Sequence, residues 1–394
     1  MVGDAASPPD ALAPYDGVLL ASFGGPERPG EVMPFLHRVT AGRGVSQERL
    51  DEVAQHYLDR DGCSPLPAEN RRLTRALEAE LARRGTPRPV LLGNRFAPPF
   101  LADTVAQAAQ TGHRRLAAVP TSAYPSYSGC RAYRDTIAAA LRDGAPPDAR
   151  TTDAQARLQV DTIRPYALHP GFSATNSRLV TDATRTLLAR TGLPAGQVRL
   201  VFVTHSIPVV QDLTSGPPRA PGVPTPERGL YRSWHAQLTR AIIDEVSATL
   251  EVTMRGDLTY CSRSGPPGQP WLEPDVNEYL QSAAADGARG IVLAPIGFTS
   301  DHMEVVYDLD TEAAATARVL GLAFTRVPTV RADPEFVTGL ADLLLERAAE
   351  ARDEVPRRPC WPRVTPLPSQ CVPGCCPAPA RPSRPGSPTP KGSR

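Results

Sequence analysis

The chain has 394 residues, of which 43 are basic and 42 are acidic, so its formal net charge at pH 7 is +1. A balanced charge excludes a general attraction to nucleic acid or to an anionic membrane surface. No run of 18 apolar residues is present, so we expect no transmembrane helix. The first residues lack the pattern of a secretion signal, and we interpret residues 1–14 as a disordered leader of a cytoplasmic protein.

Short apolar runs rich in β-branched residues alternate along the chain with longer amphipathic segments. The strand-like runs are residues 17–23, 89–93, 116–120, 158–163, 198–204, 257–261, 290–295 and 323–327. The helix-like segments include residues 69–84, 177–191, 233–250 and 334–352. This alternation predicts an α/β protein whose parallel sheets are covered by helices on both faces.

The eight predicted strands divide into four and four, with a break near residues 161–176. We predict two similar Rossmann-like domains, each a four-stranded parallel sheet flanked by helices, over residues 15–165 and 166–354. After residue 354 the composition becomes rich in Pro and in basic residues. We predict a cysteine-bearing extension over residues 355–376 and disorder over residues 377–394.

Polar clusters follow the predicted strands. They are Gly24-Gly25-Pro26, Asn94-Arg95, Thr121-Ser122, His205-Ser206, Ser262-Arg263-Ser264 and residues 300–304. In parallel α/β sheets, ligands bind beyond the carboxyl ends of the strands and often between domains. The placement of these clusters therefore predicts a protein that handles a ligand.

The stretch GFTSDHMEVVYDLD at residues 297–310 permits two interpretations. Asp301, followed three residues later by Glu304, has the spacing of a capping box and predicts a helix that begins near Asp301. In that helix Glu304, Asp308 and Glu312 follow at i, i+4 and i+8 and form one line of carboxylates. The line is either a solvated face or a site for a cation or for protons, and His302 beside it is either structural or functional.

His205 ends a predicted strand of the second domain, which is a suitable place for a side chain that faces a cleft. The chain has no glycine-rich phosphate fingerprint, which weighs against a nucleotide enzyme. It also has no G-x-S-x-G nucleophile pattern and no HExxH zinc pair.

Seven cysteines are present, and four of them crowd the tail. An odd count without a secretion signal argues against a disulfide framework and favours a site for a soft metal. Adjacent Cys375 and Cys376 are not expected both to ligate one small centre, so three tail thiolates and one from the body would complete a zinc or iron–sulfur site. The alternative is a set of free thiols.

Taken together, these motifs resemble those of the ferrochelatase family. In chain order the resemblance rests on LLASFGGPE, GNR at residues 93–95, TSAYPSYSGCRAYR at 121–134, FVTHSIP at 202–208, YCSRSGPP and PWLEPDV within 260–276, and PIGFTSDHMEVVYDLDTE at 295–312. It is greatest with the actinobacterial branch, whose members insert Fe²⁺ into coproporphyrin III rather than protoporphyrin IX. The resemblance implies two Rossmann-like domains with the macrocycle in the cleft between them.

The resemblance assigns the Fe²⁺ site to His205 and Glu304. Two pyrrole protons must leave as Fe²⁺ enters, and an imidazole or a carboxylate can either bind the metal or accept a proton. Which of the two takes the protons stays open. Asp308 and Glu312, on the acidic row, would carry iron in or protons out. The implied porphyrin contacts are Ser64, Tyr133 and Arg43, the last as a bidentate partner of a propionate.

Two positions depart from the family pattern. Phe23 stands where some bacterial relatives have a Tyr that can ligate the product iron, so an axial phenolate from this position is excluded. The segment FAPPF that follows GNR lacks the Trp expected there.

Cys130 matches the internal cysteine that ligates a [2Fe-2S] cluster in cluster-bearing ferrochelatases. The implied ligands are therefore Cys130, Cys360, Cys371 and either Cys376 or Cys375. The remaining two cysteines, Cys63 and Cys261, are assigned to packing, since a free Cys is commonly a small buried hydrophobe.

The leading hypothesis is a lyase of the metal-chelatase type that inserts Fe²⁺ into coproporphyrin III in haem biosynthesis and releases two protons. The alternatives are a protoporphyrin IX ferrochelatase, a chelatase for another tetrapyrrole, and a tetrapyrrole or iron–sulfur binding sensor without turnover. We expect no nucleic-acid partner, and we expect transient contacts with neighbouring enzymes of the haem pathway.

Overall fold

Two four-stranded sheets, each with all of its strands parallel, divide the chain into two halves. The computed structural model describes residues 10–143, 157–220, 222, 227–265 and 268–378. The first sheet has the order β2-β1-β3-β4 and contains β1 (Gly17–Ser22), β2 (Val90–Asn94), β3 (Arg115–Pro120) and β4 (Gln159–Thr162). The second has the order β6-β5-β7-β8 and contains β5 (Val198–His205), β6 (Arg255–Cys261), β7 (Gly290–Ala294) and β8 (Ala323–Arg326). The predicted fold class is confirmed.

Helices lie between the strands in both halves. In the first half they are α1 (Pro29–Thr40), α2 (Gln47–Leu58), α3 (Leu66–Arg83), α4 (Leu101–Gln110) and α5 (Ala132–Asp143). In the second half they are α6 (Pro170–Thr191), α7 (Val209–Leu213), α8 (Leu230–Leu250), α9 (Val276–Ala285), α10 (Met303–Val305), α11 (Ala314–Val319) and α12 (Pro334–Ala351). A π-helical turn at Tyr127–Arg131 precedes α5, and a π-helix at Val306–Ala313 joins α10 to α11. None of the described helices is both long and apolar enough to span a membrane.

The strand order places a topological switch point between β1 and β3 and another between β5 and β7. The chain leaves these strands in opposite directions, which opens a crevice at their carboxyl ends. The two crevices face each other, because the loop after β3 contacts the loop after β7. The hydroxyl of Tyr124 donates to the carbonyl of Ile296 at 3.1 Å, and the hydroxyl of Thr299 donates to the carbonyl of Thr121 at 3.1 Å.

Helix α12 contacts both halves, since it packs against α3 and α6. Arg164, just after β4, donates from Nε and Nη2 to the two carboxylate oxygens of Glu346 on α12, at 2.7 and 3.1 Å. Their side chains are 1% and 5% exposed. Arg347 lies 3.1 Å from Asp161 of β4. The domain division at residue 165 stays a prediction, and the last helix of the second half also contacts the first half.

The predicted leader is wrong for residues 10–14, because they form a turn and Leu12 is fully buried. The carbonyls of Ala11 and Ala13 accept hydrogen bonds from Arg352, which follows α12. Residues 1–9 of that leader lie outside the described residues, as do residues 379–394 of the predicted tail. The extension at residues 355–376 has neither helix nor strand, yet Trp361 packs against the core, and its backbone N–H donates to the carbonyl of Leu168 at 2.8 Å.

Replacing Glu346 by Gln should lower the free energy of unfolding by about 3 kcal/mol, because it leaves the guanidinium of Arg164 buried without a countercharge. Urea unfolding followed by circular dichroism measures the change. The matched control is Glu354→Gln, which removes a carboxylate paired with Arg352 at the surface and should change the stability much less, because solvent screens an exposed pair. Equal losses in the two variants would contradict a special role of the buried pair.

Candidate active site

His205 is the last residue of β5, and its imidazole projects toward the cleft from the end of a buried strand. Its Nδ1 lies 2.5 Å from the carbonyl of Ser206, so Nδ1 carries the proton and donates it. The other nitrogen, Nε2, is 3.4 Å from Oε2 of Glu304. The side chains of His205 and Glu304 are 35% and 46% exposed, so both are open to a ligand. The structure thus brings the two predicted Fe²⁺ residues together.

Glu304 reaches His205 because the loop after β7 crosses the end of β5. The N–H of Gly297 donates to the carbonyl of Val203 at 3.2 Å, and a Cβ at Gly297 would overlap the side chain of Thr204. Only a glycine permits this approach.

The predicted capping box is wrong. The residue that precedes the first helical turn is His302, and its side chain makes no capping hydrogen bond. The carboxylate of Asp301 is instead buried among cations, 2.5 Å from Arg331 and 3.0 Å from Arg326, and it accepts a hydrogen bond from Thr329. These charges outweigh the effect of burial and lower the pKa of Asp301. Asp301 therefore anchors the loop rather than the helix.

The acidic row lies mainly on the π-helix that follows Glu304. Asp308 and Glu312 are both within Val306–Ala313, and π-helical segments occur frequently at functional sites. The hydroxyl of Ser262, which follows β6, donates to the carboxylate of Asp308. Glu312 is exposed at the far end of the row. The three carboxylates therefore lead from the imidazole of His205 to the surface.

The contact between His205 and Glu304 shifts the pKa values of the two groups in opposite directions. At Glu304 burial raises the pKa, but the hydrogen bond and the charge of His205 outweigh it and hold the pKa at about 2. At His205 burial lowers the pKa, but the hydrogen bond and the charge of Glu304 outweigh it and raise the pKa. Burial lowers the pKa of the neighbouring His302, which favours a neutral imidazole there.

Asp308 differs from Glu304 because no cation among the described residues lies within ion-pair distance of it. Burial, together with the charges of Glu304 and Glu312, raises the pKa of Asp308 to about 6, although the hydrogen bond from Ser262 opposes the shift. Burial and the charge of Asp275 also raise the pKa of Glu312. At neutral pH the row therefore combines an ionised carboxylate with a carboxyl group that exchanges protons readily.

Helices α1 and α2 cover this row from the first half of the chain. Met303 belongs to a small apolar cluster with side chains of both helices. The ring of His56 stacks on Tyr307 with centroids 3.6 Å apart, and Nη2 of Arg60 donates to the hydroxyl of Thr311 at 3.0 Å. The sequence analysis did not single out these residues, because no local spacing connects α2 to the π-helix.

The three predicted porphyrin contacts have different surroundings. Ser64 is buried and packs closely against Gly25, since a Cβ added to Gly25 would lie 2.8 Å from the Cβ of Ser64. Arg43 is exposed between α1 and α2, and its charge is among those that lower the pKa of Glu304. Tyr133 is only 3% exposed and lies in the core below Arg95, whose guanidinium is 5.2 Å from the ring centroid.

Two residues near these contacts bear on the departures from the family pattern. Phe23 packs on Phe96 of the FAPPF segment, with ring centroids 4.7 Å apart. Arg95 lies over Phe96 at 4.8 Å and has no carboxylate partner within ion-pair distance among the residues that the structure describes. Arg95 is a cation at the end of β2 that the sequence analysis placed in a motif but did not assign to the site.

Four cysteines line one cavity, namely Cys130, Cys371, Cys375 and Cys376. The Sγ atoms of Cys375 and Cys376 are 3.9 Å apart. Contacts among the thiols lower the pKa of Cys371 and Cys376 and raise the pKa of Cys130 and Cys375. In the part of the chain that the structure describes, no three His, Cys, Asp or Glu side chains surround a point suited to a single metal ion.

Two of the cysteine expectations differ from the structure. Cys360 does not line the cavity, because its Sγ is held 4.0 Å from Nη1 of Arg164, beside the buried pair with Glu346. Cys63 is exposed and donates to the carbonyl of Glu27 at 2.8 Å, so its assignment to packing is wrong. Cys261 is buried in an apolar cluster, as predicted.

The ferrochelatase family profile matches residues 15–348 of the chain, which include both sheets and the acidic row. The chain belongs to the ferrochelatase family. It is 45% identical over 368 residues to the coproporphyrin III ferrochelatase of Leifsonia xyli, covering 92% of this chain and 91% of the relative. It is also 45% identical over 383 residues to the coproporphyrin III ferrochelatase of Streptomyces griseus, covering 96% and 98%. The resemblance inferred from the motifs is confirmed at the level of the family.

Asp308→Asn should stabilise this ferrochelatase more at pH 8 than at pH 5. The ordinary pKa of an Asp is about 3.9, so the folded state binds this proton more tightly and loses stability as pH rises from about 4 to about 6. An Asn is neutral throughout and still accepts from Ser262, so the gain at pH 8 should be about 1 to 2 kcal/mol. Chemical unfolding at the two pH values measures it.

The control for this variant is Asp310→Asn on the same π-helix. Asp310 is paired with Arg326 at 2.8 Å, so its removal should lower stability at both pH values. A gain in Asp308→Asn that is equal at pH 5 and pH 8 would show that packing, not ionisation, causes it.

Proposed function

We propose that this chain inserts Fe²⁺ into coproporphyrin III, giving the iron porphyrin coproheme and two protons, as a lyase of haem biosynthesis. The observation that carries the proposal is the contact of 3.4 Å between Nε2 of His205 and Oε2 of Glu304, at a cleft to which both sheets direct their strands. The names of the relatives in Leifsonia xyli and Streptomyces griseus support the choice of porphyrin.

His205 and Glu304 together supply the two functions that insertion needs. Because Nδ1 of His205 donates to Ser206, a neutral ring presents the lone pair of Nε2 to the cleft. The carboxylate of Glu304 stays ionised at neutral pH, since its pKa is about 2. One nitrogen and one oxygen donor suit Fe²⁺, and either group can accept a pyrrole proton as the metal leaves for the ring.

Asp308 and Glu312 supply a route by which protons leave, or Fe²⁺ reaches, the site formed by Glu304 and His205. The pKa of about 6 at Asp308 lets this group take up a proton and release it again near neutral pH. Glu312 is exposed, and either a proton or an incoming Fe²⁺ can exchange with solvent there. The row would thus connect the metal site to the surface.

The charge at the rim of the cleft supports a substrate with several carboxylates. Coproporphyrin III carries four propionates, whereas protoporphyrin IX carries two. Arg43 is exposed and free to turn toward a propionate. Arg95 is a second cation, which donates to the hydroxyl of Thr136 and has no carboxylate within ion-pair distance in the described part of the chain. An arginine holds a carboxylate through two parallel hydrogen bonds. Ser64 and Tyr133 would contribute to the walls around these contacts.

The rates of Fe²⁺ insertion into coproporphyrin III and protoporphyrin IX under anaerobic conditions test the proposal. We expect the coproporphyrin III rate to be higher, and we expect His205→Ala and Glu304→Gln each to lower kcat by at least about a hundredfold. Both variants should still bind the porphyrin, as measured by quenching of the protein's tryptophan fluorescence. The control is His37→Ala, since His37 is exposed on α1.

Three results would count against parts of the proposal. Faster insertion into protoporphyrin IX would favour the alternative substrate. Binding of either porphyrin without turnover by the unmodified chain would favour a sensor. Wild-type rates in His205→Ala and Glu304→Gln would remove the pair from the reaction.

We also propose that the cysteine cavity holds a [2Fe-2S] cluster through Cys130, Cys371, Cys375 and Cys376. The donor set fits, because such a cluster takes four thiolates, two on each iron, and does not require three ligands around one point. The separation of 3.9 Å between Cys375 and Cys376 is close to that of two thiolates on one tetrahedral metal with bonds of about 2.3 Å. When bound, the cluster would supply one-electron redox chemistry, and no step of metal insertion depends on it.

Anaerobic purification followed by iron and sulfide analysis tests the cluster. We expect visible absorbance between about 400 and 550 nm, lost in Cys375→Ser and retained in the control Cys360→Ser. Protein without this absorbance and without bound iron would rule the cluster out. Loss of the absorbance in Cys360→Ser with retention in Cys375→Ser would restore the ligand set that the family resemblance implied, namely Cys130, Cys360, Cys371 and Cys376.

A cytoplasmic location and transient contacts with neighbouring enzymes of the haem pathway stay predictions. The seven cysteines form no disulfide with one another, which supports a reducing compartment.

A further inference from the structure

Tyr231 on α8 contacts the backbone of His205 and takes no direct part in the chemistry described above. Its hydroxyl donates to the carbonyl of His205 at 2.8 Å and lies 2.7 Å from the hydroxyl of Thr204. A carbonyl oxygen can only accept a hydrogen bond, so the phenol of Tyr231 is the donor to His205. Both contacts are to the last two residues of β5, where the strand ends at the cleft.

The two hydrogen bonds of the Tyr231 hydroxyl lie where the loop that carries Glu304 crosses the end of β5. Thr204 is the residue over which Gly297 crosses, and the same loop carries Glu304. A shift of the backbone at Thr204 or His205 would therefore move the imidazole and the carboxylate relative to each other. Buried hydrogen bonds of this kind are costly to leave unmade, so Tyr231 restrains both residues.

The ring of Tyr231 is held independently of its hydroxyl. It packs against His235 with centroids 4.4 Å apart and edge-on against Tyr124 at 6.1 Å. The backbone N–H of Tyr231 donates to Oγ of Ser215 at 2.9 Å. Next to Ser215, Gly216 exchanges hydrogen bonds with Cys376 of the extension. These contacts hold the ring and the backbone of Tyr231 in place and thereby position its hydroxyl against the carbonyl of His205.

We propose that Tyr231 is a positioning residue for metal insertion, whose hydroxyl fixes the end of β5 and thereby sets the distance between His205 and Glu304. This inference rests on the proposed function of that pair. The role assigned to Tyr231 involves no contact with the metal or the porphyrin. It acts through the carbonyl of His205 and the hydroxyl of Thr204.

The test compares Tyr231→Phe with Tyr166→Phe in the full chain. Tyr166 is also buried and also donates to a carbonyl, that of Pro120, at 2.8 Å, so its variant loses an equivalent hydrogen bond elsewhere. We expect Tyr231→Phe to reduce kcat/KM for Fe²⁺ about tenfold, with a raised KM for Fe²⁺ and a KM for coproporphyrin III within about twofold of wild type. Tyr166→Phe should leave all three constants unchanged, while thermal melting shifts similarly in both variants.

Ser215→Ala is a second variant that keeps the tyrosine and removes the acceptor of its N–H, together with the hydrogen bond that Oγ of Ser215 donates to the carbonyl of Asp212. It should raise the KM for Fe²⁺ in the same direction by a smaller factor, and it carries the test if Tyr231→Phe fails to fold. Constants of Tyr231→Phe and Ser215→Ala that match those of Tyr166→Phe would overturn the positioning role. Absence of insertion by the wild-type chain would instead refute the proposed function, so the two failures are distinguishable.

Discussion

The close crossing of Gly297 over Thr204 sets the geometry on which the rest of the site depends. The loop after β7 can run across the end of β5 only because position 297 has no side chain. Thr204 is followed by His205, and the loop continues to Glu304, so one backbone contact brings the imidazole and the carboxylate within 3.4 Å. The same loop leads to Met303, which packs against α1 and α2. The position of these two helices over the acidic row therefore also depends on the crossing at Gly297.

Electrostatics then separates the roles of two carboxylates that are only one turn apart. Burial disfavours the charge at both Glu304 and Asp308, but only Glu304 has an imidazole in contact. The pKa values therefore diverge, to about 2 at Glu304 and about 6 at Asp308. Environments that push neighbouring pKa values apart are what allow one group to bind a cation while the next exchanges protons. Both residues are carboxylic acids, so the difference comes from their surroundings, chiefly from the contact of Glu304 with His205.

The fold followed from local patterns, whereas parts of the site depended on partners that no local pattern reveals. Strand periodicity and length predicted all eight strands, and the strand ends predicted His205. The i, i+3 spacing of Asp301 and Glu304 predicted a cap, but Arg326 and Arg331, which are 25 and 30 residues away, bind Asp301 instead. Cys360 was grouped with the other tail cysteines by proximity in sequence, while the buried guanidinium of Arg164 holds it elsewhere.

Contacts with residues distant in sequence also explain how the extension after α12 is held in place. Residues 355–378 have neither helix nor strand, so their own backbone offers little to offset the entropy lost when they are fixed. The contacts come from the body: Trp361 bonds to Leu168, Arg134 of α5 donates to Ser369, and Cys376 bonds to Gly216. Arg134 belongs to the first half and Gly216 to the second, so the extension joins the two. A cluster held by the four cysteines would add its binding free energy to this joint, because a group that binds only the folded state stabilises it. None of the residues lining the cysteine cavity belongs to the acidic row, so this contribution concerns the relation of the two domains rather than the transfer of the metal.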